Sequence, residues 1–264
     1  CANIVLFFAK KLHYKILRKR DEDLDYDISF ENFWNNHHKM QQETLKTIDV
    51  ANQTGLPKET ARRKIQLLLK RKTLKKSGKK IFWSPTIEDE KSYNLIVGEH
   101  ITIISRLLAN ILQRLNLRFT SDEIKKLIMK NFSFYWYHYL STQLKYLKYW
   151  KGNINDLELL LIAIECSIQG NLYIANRRGI SDEVVISANS VSNITGIPRA
   201  TCVRKLTELQ KLKLIDKSNS TKKFSINHQS LNNNRVFTKE RNLEITNMFS
   251  EFFFIIIKAL NRKD

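Results

Sequence analysis

Two stretches of this chain are near copies of one another, and that repeat constrains the fold more than any other feature. Residues 50–77 read VANQTGLPKETARRKIQLLLKRKTLKKS, and residues 191–218 read VSNITGIPRATCVRKLTELQKLKLIDKS. The two align without a gap at an offset of 141. Matched pairs include Val50/Val191, Asn52/Asn193, Thr54/Thr195, Gly55/Gly196, Pro57/Pro198, Thr60/Thr201, Arg63/Arg204, Lys64/Lys205 and Leu68/Leu209. Elsewhere like replaces like, as in Leu56/Ile197, Lys58/Arg199, Ile65/Leu206 and Leu74/Ile215. Each copy follows an apolar helical pattern, at 4–17 and 157–168, and precedes a long one, at 93–117 and 243–260. The expected unit is therefore helix, helix-turn-helix, hairpin, long helix. With only 7 Gly and 3 Pro in 264 residues, the chain reads as mainly α. Two tandem units are expected, 1–118 and 119–264, with their central motifs at about 44–84 and about 184–227. No linker rich in Gly, Pro or Ser separates them, which predicts that they pack against each other.

Within the first copy, a short helix is expected to end near Thr54, with Gly55 supplying the conformation of a tight turn. Pro57 stands where the second helix begins, a position that tolerates a missing N–H. From there Ala61, Ile65 and Leu68 fall on one face at helical spacing and read as the buried side. Lys58, Glu59, Arg62, Arg63 and Gln66 point elsewhere, which is what a helix that reads base edges requires. Thr60 lies near the helix N-terminus, where unpaired N–H groups suit a phosphate. After the helix, Leu74 to Trp83 predicts two short strands around a Ser77-Gly78 turn, carrying Lys75, Lys76, Lys79 and Lys80. The second copy offers Arg199, Thr201, Arg204, Lys205 and Thr207 on its helix, and Lys217, Lys222 and Lys223 on its hairpin.

Charge localises the same way. The chain carries 45 Lys and Arg against 26 Asp and Glu, a net of +19. Residues 56–83 hold a net of +10 and residues 197–224 a net of +6, so the two motifs carry +16 of the excess. A lysine-rich surface is by itself a common solvated face. Recurrence on a repeated turn-helix-hairpin is what points to a polyanionic partner. A membrane-binding helix would pair its cations with one broad apolar face, and neither window does. The longest purely apolar runs, 4–9, 159–164 and 252–257, fall short of the about 18 residues of a bilayer span.

The turn-helix segments TGLPKETARRKIQLL and TGIPRATCVRKLTEL resemble the helix-turn-helix of IclR-type regulators, over about forty residues per copy. The helical flanks are more similar to the MarR arrangement, in which terminal helices form a dimer interface. The IclR-type effector domain has no counterpart here. These resemblances imply a bacterial or phage regulator, built from two winged helix-turn-helix units joined by long helices, with Thr60, Thr201, Arg63 and Arg204 at the DNA. A single chain of this kind would be a covalent pseudo-dimer. Its reading faces differ, since Glu59, Arg62 and Gln66 become Ala200, Val203 and Thr207. Two unlike half-sites about one helical turn (roughly 10 bp) apart are expected.

Other features invite other readings. Phe132–Trp150 is strongly aromatic and reads first as a core or inter-repeat helix, with a ligand pocket or partner surface as the alternative. His37-His38 reads as a surface pair, because neighbours on a helix do not share a face. The acidic run at 21–27 lacks the Gly and closing Glu of a calcium loop. Three widely spaced cysteines, Cys1, Cys166 and Cys202, exclude a disulfide framework and a zinc finger, and they fit a reducing cytoplasm. Cys1 in place of Met reads as a partial start rather than a lipid-anchored residue. No P-loop, dinucleotide fingerprint, nucleophile elbow or zinc-protease motif is present. The expectation is a cytoplasmic, nucleoid-associated, non-enzymatic regulator of double-stranded DNA, with no cofactor, no metal and no membrane partner. A further homodimer and a small-molecule effector are left open. Two rivals stand beside it: a plasmid or phage replication initiator, and a winged-helix scaffold for protein contacts.

Overall fold

A computed structural model describes residues 2–40, 44–151, 156–176, 186–218, 223–226 and 239–262. Among them are eleven helices and four short strands, a mainly helical chain with two small antiparallel hairpins. Contacts divide it into two compact units, Cys1–Lys148 with Asn247–Asp264, and Tyr149–Thr246.

In the first unit, α1 (Ala2–Glu22) packs on α3 (Thr47–Thr54) and on the second strand of the first hairpin. Its buried residues Ile4, Phe8, Leu12 and Ile16 recur every fourth position, a single helical stripe. The short α2 (Phe33–Lys39) buries Phe33, which meets Phe132 edge-on and stacks on Tyr93. After α3 come α4 (Lys58–Lys70), β1 (Leu74–Ser77) and β2 (Lys80–Trp83). The 28-residue α5 (Ile87–Arg114) starts earlier than its apolar pattern shows, because Thr86 and Asp89 form a reciprocal cap. Asp89 N–H donates to Thr86 Oγ1 at 3.1 Å, and Thr86 N–H donates to the Asp89 carboxylate at 3.1 Å. Glu88, Asp89 and Glu90 then complement the positive end of the helix dipole. The helix buries Val97, Ile101, Ile104, Leu108 and Leu112 on one face and leaves Leu95, Ile96, Ile103 and Leu107 exposed. Although no uninterrupted apolar run in the sequence is long enough, α5 by length and composition is long and apolar enough to cross a membrane; here its inner face is part of the core.

The expected division at 118/119 falls inside this first unit. Helix α6 (Ser121–Lys130), capped by Thr120, packs on α5. Helix α7 (Phe132–Lys151) is the aromatic stretch, and Phe132, Tyr135, Trp136 and Leu140 lie in the core. The same core takes Phe252, Ile256 and Leu260 from the far end of the last helix, α11 (Lys239–Leu260). There Tyr139 meets Phe252 at 5.6 Å between ring centres, and Lys145 pairs with Glu251 at 3.6 Å. Apolar faces bury against whichever surface complements them, whatever their order along the chain.

The second unit repeats the centre of the first on its own scaffold. Helix α8 (Leu157–Asn176) packs on α9 (Ala188–Thr195), on α10 (Arg199–Lys211) and on the second strand of the pair β3 (Ile215–Lys217) and β4 (Phe224–Ile226). It therefore stands to these elements as α1 does to α3 and β2. Cys166 and Cys202 are buried free thiols.

Candidate nucleic-acid interface

Each copy folds its turn by the same local devices. The Thr54 hydroxyl donates to Val50 O, and the Thr195 hydroxyl to Val191 O, both at 2.6 Å, closing the last turn of α3 and α9. Gly55 and Gly196 then adopt φ of 63° and 68°, the left-handed region where a side chain would be strained. Pro57 and Pro198 cap the next helices, whose first helical bonds run from Ala61 N to Pro57 O and from Cys202 N to Pro198 O. No side chain caps either N-terminus. The first-turn N–H groups of α4 and α10 are thus set as anion donors beside a run of cations.

Beyond each helix the chain turns into its hairpin through a second left-handed residue, Lys72 at 62° and Lys213 at 57°. Thr73 N–H returns to Leu68 O and Leu214 N–H to Leu209 O, fixing the angle between helix and hairpin. A lone bridge anchors each hairpin at its foot. Leu45 exchanges both backbone bonds with Ile81 (2.9 and 2.8 Å), and Ile186 does the same with Phe224 (2.7 and 2.9 Å). These bridges were not read from the sequence, although Leu45 and Ile186 share the offset of 141.

On α4, Ala61, Ile65 and Leu68 are buried, as the spacing predicts. Lys58, Glu59, Arg62, Arg63 and Gln66 are exposed, and Thr60 is half-buried. Glu59 and Arg62 hold each other through two-pronged contacts of 2.6 to 3.0 Å, and the guanidinium keeps the Glu59 carboxyl below its usual range. Arg63 makes no ion pair among the described residues, so this face offers its guanidinium without prior engagement. Lys70, Arg71 and Lys72, also exposed, carry the basic strip from helix to hairpin. They stood inside the charged window but were not singled out.

The first hairpin pairs Leu74 with Trp83 and Ser77 with Lys80, leaving a two-residue Gly78-Lys79 turn, one position later than expected. Gly78 takes φ of 57°, as such turns require. Leu74, Ile81 and Trp83 face the core, and Lys75, Lys76, Lys79 and Lys80 are exposed.

On α10 the exposed set is Arg199, Ala200, Val203, Arg204 and Thr207, with Thr201 half-buried. Arg199 is held by Asn189 of α9 at 2.6 Å, and the Thr207 hydroxyl bonds back to Val203 O at 3.0 Å. Arg204 repeats Arg63, exposed and without an ion pair among the described residues. Lys217 lies with its ammonium 5.8 Å from the Phe224 ring centre, and Lys223 is exposed. Lys222 lies outside the described residues.

Lys205 is a correction. It is buried on the inner side of α10, where its ammonium pairs with Asp156 at the start of α8 and with Glu208 at 2.9 Å. Burial would push the Asp156 carboxyl up, but the Lys205 ammonium and the N–H groups of Leu159 and Glu158 outweigh it and hold it below the usual range. A lysine stem packs into an apolar side as readily as into solvent, provided its head finds a carboxylate. The residue is a strut of the second unit, and it is withdrawn from the reading face.

Taken by itself, each face can therefore present guanidinium, amide and hydroxyl groups, with exposed lysines beside them. No protein-family model, no curated protein and no solved structure matches the chain.

Proposed function

We propose that this chain is a sequence-specific double-stranded DNA-binding regulator of transcription, with two winged helix-turn-helix units on one polypeptide. The observation that carries the reading is the double occurrence of one frame. In each, a helix N-terminus without a side-chain cap, an exposed arginine (Arg63, Arg204) with no ion pair among the described residues and a lysine-bearing hairpin emerge from the same turn, while the apolar side is buried. Lysines and helix N-termini engage phosphates and set register. Arginine and glutamine read base edges in the major groove. The faces differ, with Glu59, Arg62 and Gln66 on one and Ala200, Val203 and Thr207 on the other, so the two units select unlike half-sites.

The test is a salt series of binding to random duplex DNA, followed by selection from a random pool. A steep loss of affinity with salt, and enrichment of two unlike half-sites, supports the regulator. Enrichment of iterated copies of one sequence supports a replication initiator instead. Weak binding at low salt refutes DNA recognition and leaves the frames as protein-docking units.

A further inference from the structure

The sequence placed His37 and His38 on diverging sides of a helix, with no third ligand in view. The fold supplies both missing elements. Helix α2 ends at Lys39, immediately after the pair, and the first turn of α5 brings Glu90 against it. One donor atom from each of His37, His38 and Glu90 lies within 4.8 Å of the others. His38 Nε2 is already 3.3 Å from Glu90 Oε1.

Four-coordinate zinc with bonds of about 2.0–2.1 Å separates its ligand atoms by roughly 3.3 Å. One edge of that figure is thus formed, and side-chain movement of up to about 1.5 Å closes the others. The ion pair accounts for His38 against Glu90, and the neighbouring His37 brings a second imidazole nitrogen to the same place. His37 is buried, with its ring edge-on to Trp34 and Trp83 at 5.3 Å each. Two imidazoles and a carboxylate are the donor set of borderline divalent ions, zinc above all.

We propose that His37, His38 and Glu90 form a binding site for Zn2+ or a chemically similar divalent transition metal, tying the end of α2 to the first turn of α5. Three protein ligands leave a coordination position for solvent, on the side where His38 is exposed. Trp83, the wall of the site, is the last residue of β2, so the ion sits at the foot of the first hairpin.

The experiment is a titration of the tag-free full chain with Zn2+ by calorimetry, and with Co2+ by visible absorption, on the wild type, His38→Ala and Glu90→Gln. Both side chains reach solvent, so circular dichroism of both variants is expected to match the wild type. The expected result is saturation at one ion per chain, visible Co2+ bands of a four- or five-coordinate site, and affinity weakened more than about tenfold in each variant. His138→Ala, on α7, leaves the titration unchanged. Absence of saturable binding overturns the proposal, and so does binding that Glu90→Gln leaves intact.

Discussion

Replacing Asp156 with Ala removes two interactions at once. Its carboxylate accepts the N–H groups of Glu158 and Leu159 at 2.9 and 3.1 Å at the start of α8, and loss of such a cap costs about 1 kcal/mol. It also leaves the Lys205 ammonium, whose side chain is only 7% exposed, with Glu208 as its remaining carboxylate. Stripping one partner from a fully buried pair costs about 3–5 kcal/mol, while an exposed pair contributes under about 1. Asp156 is 35% exposed and Glu208 stays at 2.9 Å, so about 1–2 kcal/mol is expected here, for a total near 2–3. Lys205→Met behaves differently. It keeps the buried stem, removes the charge that needs a partner and costs under about 1 kcal/mol. In that background Asp156→Ala should lose only the cap, leaving a coupling of about 1–2 kcal/mol in a double-mutant cycle read by urea denaturation. Because the Asp156 carboxyl is held low, its contribution is present at neutral pH and above, and is lost as pH falls through that lowered value. The proposed DNA binding supplies the second readout: Lys205→Met should leave affinity and salt dependence unchanged, whereas Arg204→Ala, one residue away, should lower both. The reasoning is refuted if Asp156→Ala is within about 0.5 kcal/mol of wild type, or if Lys205→Met reduces the salt slope as Arg204→Ala does.

Exchanging Arg62 and Arg63 together for Ala should weaken DNA binding much more than Arg204→Ala, because the first motif carries the larger basic excess; equal losses in a fluorescence-anisotropy titration would contradict this. Replacing Lys75, Lys76, Lys79 and Lys80 by Ala should reduce the slope of log affinity against log salt by up to about 3–4, with selected sequences unchanged. Burial holds the His13 imidazole, beside Phe33 and Phe132, down at about 3. The unfolded chain therefore takes up a proton that the native one refuses. Stability should fall by up to about 1.4 kcal/mol per pH unit below the ordinary imidazole range, and His13→Leu should flatten that limb of a denaturation series.

The centre of each unit was legible in the sequence because its signals are local. Thr54, Gly55 and Pro57 specify a turn through backbone preferences, and Ala61, Ile65 and Leu68 specify a face through spacing. What escaped depends on partners distant along the chain. Lys205 has the same side chain whether it faces solvent or Asp156, 49 positions earlier, and nothing near it distinguishes the two. His37 and His38 are neighbours on α2, but Glu90, which meets them, stands 52 positions after His38 on another element. The contact-based units divide the chain at other places than the repeat does, for the same reason. The patterns of α6, α7 and α11 announce apolar faces but not which core will receive them, and the repeat favoured dividing the chain between its copies. Lys72 and Lys213 were missed differently, as lysine is not a residue that advertises a left-handed conformation.

The first unit is discontinuous, and this sets an order on its birth. A ribosome delivers about 5–20 residues per second, N-terminus first. Residues 149–246, one uninterrupted segment, have all been made before Phe252, Ile256 and Leu260 are polymerised. The half of the molecule synthesised first is thus the half completed last, its nascent core open along the surface of α7 until those final turns arrive. For those seconds its apolar surface lacks these partners, and a stop codon after Thr246 would make that state permanent.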